Sequence, residues 1–454
     1  MLAIVLAATI VQGETGAKLD AYLKEQKYEG AVLVAKDGEV LLAKGYGLAD
    51  REKGRPWTAE TYVSVGSITK QFTAAAILKL EAAGKLSVED TIGKFWKDAP
   101  ADKRGITLHQ LLTHTAGLQS DFAGDYDPVG RDEYVRRILA GKLESAPGTA
   151  YSYANSGYSL LAAVVEIASG KPYETYLHEA LLLPAGMKET GYTIPKWDPA
   201  RTPVGYRDGK RWGTMLEKPW AKDGPYWALR GNGGIESTLS DLWSWSRALD
   251  GDAVLPAAER KKLFTPWVPE GPGAKSSYGY GWAIETTPWK TTLVSHNGGN
   301  GTFSADFRRY VDDKIVVIAA ASDSAHKAWR VSEPLARIVR GEAPAPAIAP
   351  LGDDARALVI RDFVAAFNSG DAAVMRAFRA RAMVSREGGP TEEQRDETTR
   401  RMRDDFGTLR VEGVLAKDES SIATRMIDAH GRWLKFRFEF TPENRIAGIG
   451  IEME

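Results

Sequence analysis

Cysteine is absent from the 454-residue chain, which excludes disulfides, thiol catalysis and thiolate metal sites. It does not decide the compartment, because an exported protein can fold without disulfides. Net charge is nearly absent too: 59 basic residues against 60 acidic ones leave −1, so nothing in the composition attracts nucleic acid or an anionic membrane, and a small-molecule partner is expected. No apolar run of 18 residues occurs, so no membrane span is expected. The six histidines, His109, His114, His178, His296, His326 and His430, do not fall at a zinc-ligand spacing, and neither metal nor other cofactor is implied. G-x-S-x-G, H-E-x-x-H, G-x-x-x-x-G-K-[ST] and G-x-G-x-x-G are all missing, which sets aside the α/β-hydrolase, zinc-protease and nucleotide-binding readings.

What is present points to two or three domains, the natural division of a chain this long. The opening MLAIVLAATIVQG, residues 1–13, is too short to cross a bilayer but suits the apolar part of a signal peptide. It lacks the usual basic start. It reads either as a leader, implying a periplasmic or secreted protein, or as a buried first segment. GAVLVAKDGEVLLAKGYG follows a short amphipathic helix and reads as a hairpin turning at Asp37-Gly38. Residues 90–235 carry helical periods such as YSLLAAVVEIASG between Pro/Gly-rich loops. From Trp282 to Ser322 three successive strands are expected, the last pair turning at Asp312-Asp313, before a helix in SEPLARIVRG. The order of strands, helices, strands and helix predicts an α+β domain over residues 14–340 whose sheet is completed by late chain.

GEAPAPAIAP, residues 341–350, reads as a linker, because Pro/Ala-rich chain neither continues a helix nor pairs in a sheet. After it the basic residues change from lysine to arginine: residues 351–454 hold fifteen arginines and only Lys417 and Lys435. This part opens with the helical LVIRDFVAAFNSG and ends in strands. In WLKFRFEF, Leu434, Phe436, Phe438 and Phe440 alternate with charged residues, the pattern of a half-buried strand. A second, small α+β domain is expected.

The chemistry starts at VSVGSITKQFTAAAILKL, residues 63–80, where Ser67 and Lys70 stand three apart at the head of an apolar helix and so share one face. A serine hydroxyl needs a base, and a lysine becomes one when burial lowers its pKa. The helix start also offers free backbone N–H groups to an oxyanion. Alone, the pair equally fits an N-cap and a snorkelling lysine. Two further elements join it. Tyr153-Ala-Asn155 precedes a helix and supplies a phenol to relay protons and an amide to hold a carbonyl. His296-Asn-Gly298-Gly299 lies on an expected strand, where glycines admit a ligand to the backbone. Each has a plain structural reading as well: packing for Tyr153, a cap for Asn155, a sheet-edge position for His296.

Together, in this order, the three elements resemble the penicillin-recognising serine hydrolases, in particular the class C β-lactamases with their carboxylesterase, D-aminopeptidase and D-Ala-D-Ala carboxypeptidase relatives. PWTAETYVSVGSITKQFTA, LEAAGKLSVEDTI, ITLHQLLTHTAGL, SAPGTAYSYANSGYSLLAAVVEIASGKPY and GNGGIESTLSDLWSW are similar to segments of that family, so the likeness covers residues 15–340. It implies a β-lactamase/transpeptidase-like fold, Ser67 as acylated nucleophile, Lys70 as its partner amine and Tyr153 as general base. It implies Asn155 as a substrate ligand and the N–H groups of Ser67 and Gly299 as the oxyanion hole. Gln119 matches a side chain that some relatives place near the substrate, or else is an exposed loop residue. Whether Tyr153 or Lys70 is the base stays open. His296-Asn-Gly298 departs from the lysine triplet usual in β-lactamases, which favours an ester, an amide or a D-peptide over a β-lactam as substrate. A β-lactamase, and a non-catalytic module binding peptidoglycan or β-lactam, are the alternatives. The C-terminal part resembles the NTF2-like (cystatin-like) group, and is expected to act as cap or spacer or, alternatively, to hold a ligand pocket. Nine of the thirteen tryptophans fall between Trp197 and Trp289, where core packing and an acyl pocket are both open.

Overall fold

The computed structural model describes residues 9–271, 273–343, 350–384, 389–429 and 433–453. The chain divides into two compact units, Met1–Pro344 and Ala345–Glu454.

The first unit is built on one nine-stranded antiparallel sheet. Its strands are β1 (Ile10–Val11), β2 (Gly30–Lys36), β3 (Glu39–Tyr46), β4 (Val268–Pro269), β5 (Ser276–Tyr278), β6 (Ala283–Thr286), β7 (Thr292–Gly299), β8 (Ser304–Tyr310) and β9 (Ile315–Ala321). Their order is β1-β3-β2-β9-β8-β7-β6-β5-β4, so late chain does complete the early hairpin. That hairpin turns where expected, with Asp37 and Gly38 both at positive φ (50° and 85°), as a two-residue turn matched to strand twist requires. The leader of residues 1–13 lies outside the described residues as far as residue 8. Within it, Ile10 and Val11 pair with Ala43 and Leu42 of β3.

Both sheet faces are covered, which explains why β9, IVVIAAA, is buried along its whole length. Ala31, Leu33, Val294, Phe307 and Ile318 face a large core shared with the helical region. Val32, Val34, Leu293, Val317 and Ala319 face a second layer containing Leu19, Leu23, Val331 and Leu335, which lie on α1 (Gly13–Glu25) and on Trp329–Val339. The expected three late strands are four. Ala283–Thr286 is too short to show a period of its own, and it pairs with β7 from Ala283↔Ser295 to Thr286↔Thr292.

The helical region centres on α2 (Thr69–Ala82), in which Thr69 to Leu78 and Leu80 are all buried. A helix buried on every side is a core helix; inside it Thr73 donates to the Gly231 carbonyl at 2.5 Å and the Gln71 side-chain oxygen accepts from the Trp245 indole at 3.2 Å, while the Gln71 amide nitrogen is left without a partner. Beside it runs α3 (Asn155–Ser169), buried from Ser156 to Val165 and closed by Gly170 in the left-handed conformation. Among the described residues no helix is long and apolar enough to cross a membrane.

Of the linker expected at 341–350, residues 344–349 lie outside the described residues. The second unit has helices α4 (Ala355–Ser369), α5 (Ala372–Ala382) and α6 (Glu392–Phe406) and a four-stranded antiparallel sheet of Leu409–Lys417, Ser421–Asp428, Trp433–Phe440 and Ile446–Met453 in sequential order. Leu434, Phe436, Phe438 and Phe440 are buried as their alternation predicts. Phe363 of α4 packs on this face, its ring centroid 5.5 Å from Phe438 and 6.3 Å from Phe436.

Candidate active site

Ser67 lies on a 3-10 turn, Gly66–Ile68, that leads directly into α2. The α-helix proper therefore begins two residues later than the serine, yet the separation of three still brings Lys70 back to it. Lys70 is fully buried. Its Nζ is 3.2 Å from Ser67 Oγ, 2.8 Å from Asn155 Oδ1 and 3.0 Å from the carbonyl oxygen of Asn232. Burial lowers its pKa to about 7, against the opposing pull of Asp121 and Asp125. The two amide oxygens can only accept, so a neutral amine gives them its two N–H groups and is left with its lone pair for the Ser67 hydroxyl. A buried lysine is here arranged as a base.

Asn155 is the first residue of α3 and caps nothing. The N-cap is Ala154, with no side-chain capping bond, and the Asn155 amide reaches across to Lys70 instead. Tyr153, immediately before, lays its ring 4.6 Å below the Lys70 nitrogen. Its phenol hydrogen-bonds Ser67, which lowers a pKa that burial raises well above the ordinary phenol value. At neutral pH Tyr153 is therefore a phenol. The residue keeps 36% exposure.

His296 does not stand at a sheet edge. It is buried in the middle of β7, which pairs with β6 on one side and β8 on the other. Its Nδ1 is 2.5 Å from the Asn297 carbonyl, and its Nε2 is 3.0 Å from the Tyr278 hydroxyl. A carbonyl only accepts, so the proton sits on Nδ1 and Nε2 accepts from Tyr278. Burial, aided by repulsion from Lys70, pulls its pKa down to about 3. No cation stands at this position at neutral pH.

Gly298 and Gly299 pack against the turn that carries Ser67. A methyl group on Gly298 would lie 2.6 Å from the Ser67 amide nitrogen and closer still to the Val65 carbonyl, and one on Gly66 would strike the Gly299 amide nitrogen. Only glycine lets the end of β7 approach this closely, and the approach puts the backbone N–H groups of Ser67 and Gly299 side by side. Gln119 takes a different place. Its carbonyl accepts from Ser156 Oγ at 2.5 Å, holding the first turn of α3, and its half-buried side chain is not among those lining the cleft.

The cleft beside Ser67 is lined by Asp125, Tyr126, Met215, Leu229 and Asn300 together with Asn155. Its apolar wall is thus Met215, Leu229 and Tyr126 and not the tryptophans, of which Trp245 and Trp282 are wholly buried in the core. Sequence reasoning missed Asn232 as well. Its carbonyl is aimed at Lys70 by Gly231, which holds φ +84° and whose missing side chain leaves room for Ala162. The doubled glycines of GNGG were the available signal. Asp121, 3.5 Å from Asn155 Nδ2, and Asp125 carried no sequence signal at all. Among the described residues no group of three or more His, Cys, Asp or Glu could hold a metal ion.

The chain matches the model of the Beta-lactamase family over residues 15–339. It is 30% identical over 315 residues to Penicillin-binding protein 4* of Bacillus subtilis (strain 168), covering 65% of this chain and 68% of that protein. It is 34% identical over 226 residues to Esterase EstB of Burkholderia gladioli, covering 45% and 57% respectively. These alignments thus span about two thirds or less of the relatives' own length. Among solved structures, a penicillin-binding protein from Bacillus halodurans aligns with a TM-score of 0.59 at 27% identity, over 71% of this chain and 97% of that one. The octameric penicillin-binding protein homologue from Pyrococcus abyssi shares the fold over 96% of this chain and 98% of its own, with a TM-score of 0.66 at 23% identity. With its matched segment containing the serine, the buried lysine, the tyrosine and the glycine strand alike, the chain belongs to the Beta-lactamase family.

Proposed function

We propose that the protein is a serine hydrolase working through an acyl-enzyme on a small ester, amide or D-peptide, of the carboxylesterase or D-amino-acid peptidase type. The observation that carries this reading is the Lys70 amine, buried, lowered to about 7 and 3.2 Å from Ser67 Oγ. Lys70 takes the Ser67 proton as Oγ attacks the substrate carbonyl. The N–H groups of Ser67 and Gly299 receive the oxyanion, and Asn155 and the Met215/Leu229 wall hold the acyl part. Tyr153, a phenol with its oxygen on Ser67, passes the proton from Lys70 to the leaving oxygen or nitrogen as the carbonyl re-forms. Water then enters along the same path, loses a proton to Lys70 and releases the acid, restoring Ser67.

The neutral His296 argues against a β-lactam or any substrate gripped by its carboxylate at this position. The relatives named penicillin-binding protein and esterase support the chemistry at Ser67 without selecting between their substrates. A panel of short-chain p-nitrophenyl esters, D-amino-acid amides, D-Ala-D-Ala peptides and nitrocefin tests the reading. Turnover of esters or D-amides exceeding that of nitrocefin is expected. Absence of turnover with every member, and no acylation, would replace it by a binding role.

A further inference from the structure

We infer that His114 is a positioning residue of this site: it holds the loop Tyr151–Asn155 so that Tyr153 stays over Lys70 with its oxygen on Ser67. The inference rests on the acyl-enzyme reading above. His114 grips the loop at two points, its carbonyl accepting from the Ser152 N–H at 2.9 Å and its Nδ1 from the Ala154 N–H at 3.1 Å. Its ring lies against that of Tyr153, with centroids 4.3 Å apart and planes 34° from parallel. Tyr158 and Tyr278 close the other sides at 5.0 and 4.8 Å. His114 is 2% exposed and is not among the residues lining the cleft, so it does not reach a reacting atom.

Three unfavourable features meet in this one side chain. The backbone is left-handed, at φ +57°, which residues other than glycine rarely adopt. Because Nδ1 accepts from Ala154, the proton is on Nε2, and Nε2 is buried with no hydrogen-bond partner. Burial first, and then the nearby Lys70 amine, also hold the imidazole's pKa well below its ordinary value. An apolar ring would remove the orphan donor, but it would leave the buried Ala154 N–H, at the N-cap of α3, without an acceptor. What histidine adds over a hydrocarbon ring is that acceptor, one residue from Tyr153 and one from Asn155.

The test compares the full-length wild type with His114→Asn and His114→Phe. Asparagine tolerates the left-handed backbone and offers Oδ1 where Nδ1 stands; phenylalanine keeps the ring and loses the acceptor. With a p-nitrophenyl ester, His114→Phe is expected to lose about 10- to 100-fold in kcat at nearly unchanged KM, and His114→Asn to recover most of it, as displacement of a reacting group demands. Amide hydrogen exchange at Ala154 should speed up about 10-fold or more in His114→Phe and not in His114→Asn, because an unbonded N–H exchanges freely. Equal kcat in all three proteins, or equal losses in both variants with unchanged Ala154 exchange, overturns the inference. If the wild type hydrolyses nothing, the hydrolase reading fails, and Ala154 exchange still decides whether His114 holds the loop.

Discussion

The Lys70 side chain ends 3.0 Å from the carbonyl oxygen of Asn232, 162 residues further along the chain. With the Asn155 amide oxygen it forms a pair of acceptors that fixes the direction of the amine and leaves Ser67 as its third neighbour. The fold spends a left-handed glycine, Gly231, to bring that carbonyl in. The pairing leaves the lone pair of a neutral amine directed at the Ser67 hydroxyl.

Removing the amine should therefore separate activity from stability. Lys70→Met is expected to lower kcat/KM by about 10²–10⁴, the span of a lost general base. For the wild type, kcat/KM should rise as pH passes through about 7, where Lys70 becomes neutral. Stability follows with a defined sign. The folded pKa lies below the ordinary 10.5, so between these values the unfolded chain binds more protons, and this group makes the fold more stable as pH rises. Thermal melts should show Lys70→Met exceeding wild type most at or below pH 7, with the gap closing toward pH 10.

Glu236 carries the opposite dependence. It is 3% exposed, one carboxyl oxygen has no partner, and burial raises its pKa from 4.5 to about 8 against a hydrogen bond from Ser64. A folded pKa above the unfolded one contributes stability that is complete below about pH 4.5 and is lost as pH rises through 8. Glu236→Gln, which cannot ionise, is expected to melt higher than wild type at pH 9 and to converge with it near pH 5. Parallel melting curves across that range would mean that Glu236 is ionised in the fold.

Gly298→Ala tests the close approach of β7 to Ser67. Its methyl would meet backbone, the Val65 carbonyl and the Ser67 amide, so the strand or the turn must move. Fixed backbone does not yield as a flexible side chain does. A loss of about 10²-fold in kcat is expected, with stability lowered by about 1–3 kcal/mol as in other overpacked sites. Unchanged kcat would place the oxyanion elsewhere.

The sequence made local relations legible and left distant ones hidden. Ser67 and Lys70 are readable because a helix fixes where positions three apart stand, and Leu434 to Phe440 because a strand fixes where alternate residues point. The Asp37-Gly38 turn was readable for a similar reason: two residues at positive φ suit few amino acids. Asn232 reaches Lys70 through its backbone, which any residue has, so only the glycines around it hint at the contact. His114 stood in plain view within THTAGL, but its ring, its left-handed backbone and its hold on Ala154 are products of tertiary packing. The strand Ala283–Thr286 was missed because three half-buried residues and one exposed one carry no period. His296 was legible as part of a glycine-bearing strand, but its neutrality follows from burial among tyrosines and from Lys70, which no triplet of residues records.

The central claim is that Ser67 is the acylated nucleophile. Mass spectrometry after reaction with a fluorophosphonate, followed by peptide mapping, tests it most directly. The account predicts one adduct per chain, located on the peptide holding Ser67, absent from Ser67→Ala and slowed in Lys70→Met. An adduct that persists in Ser67→Ala, or maps to another residue, would contradict it.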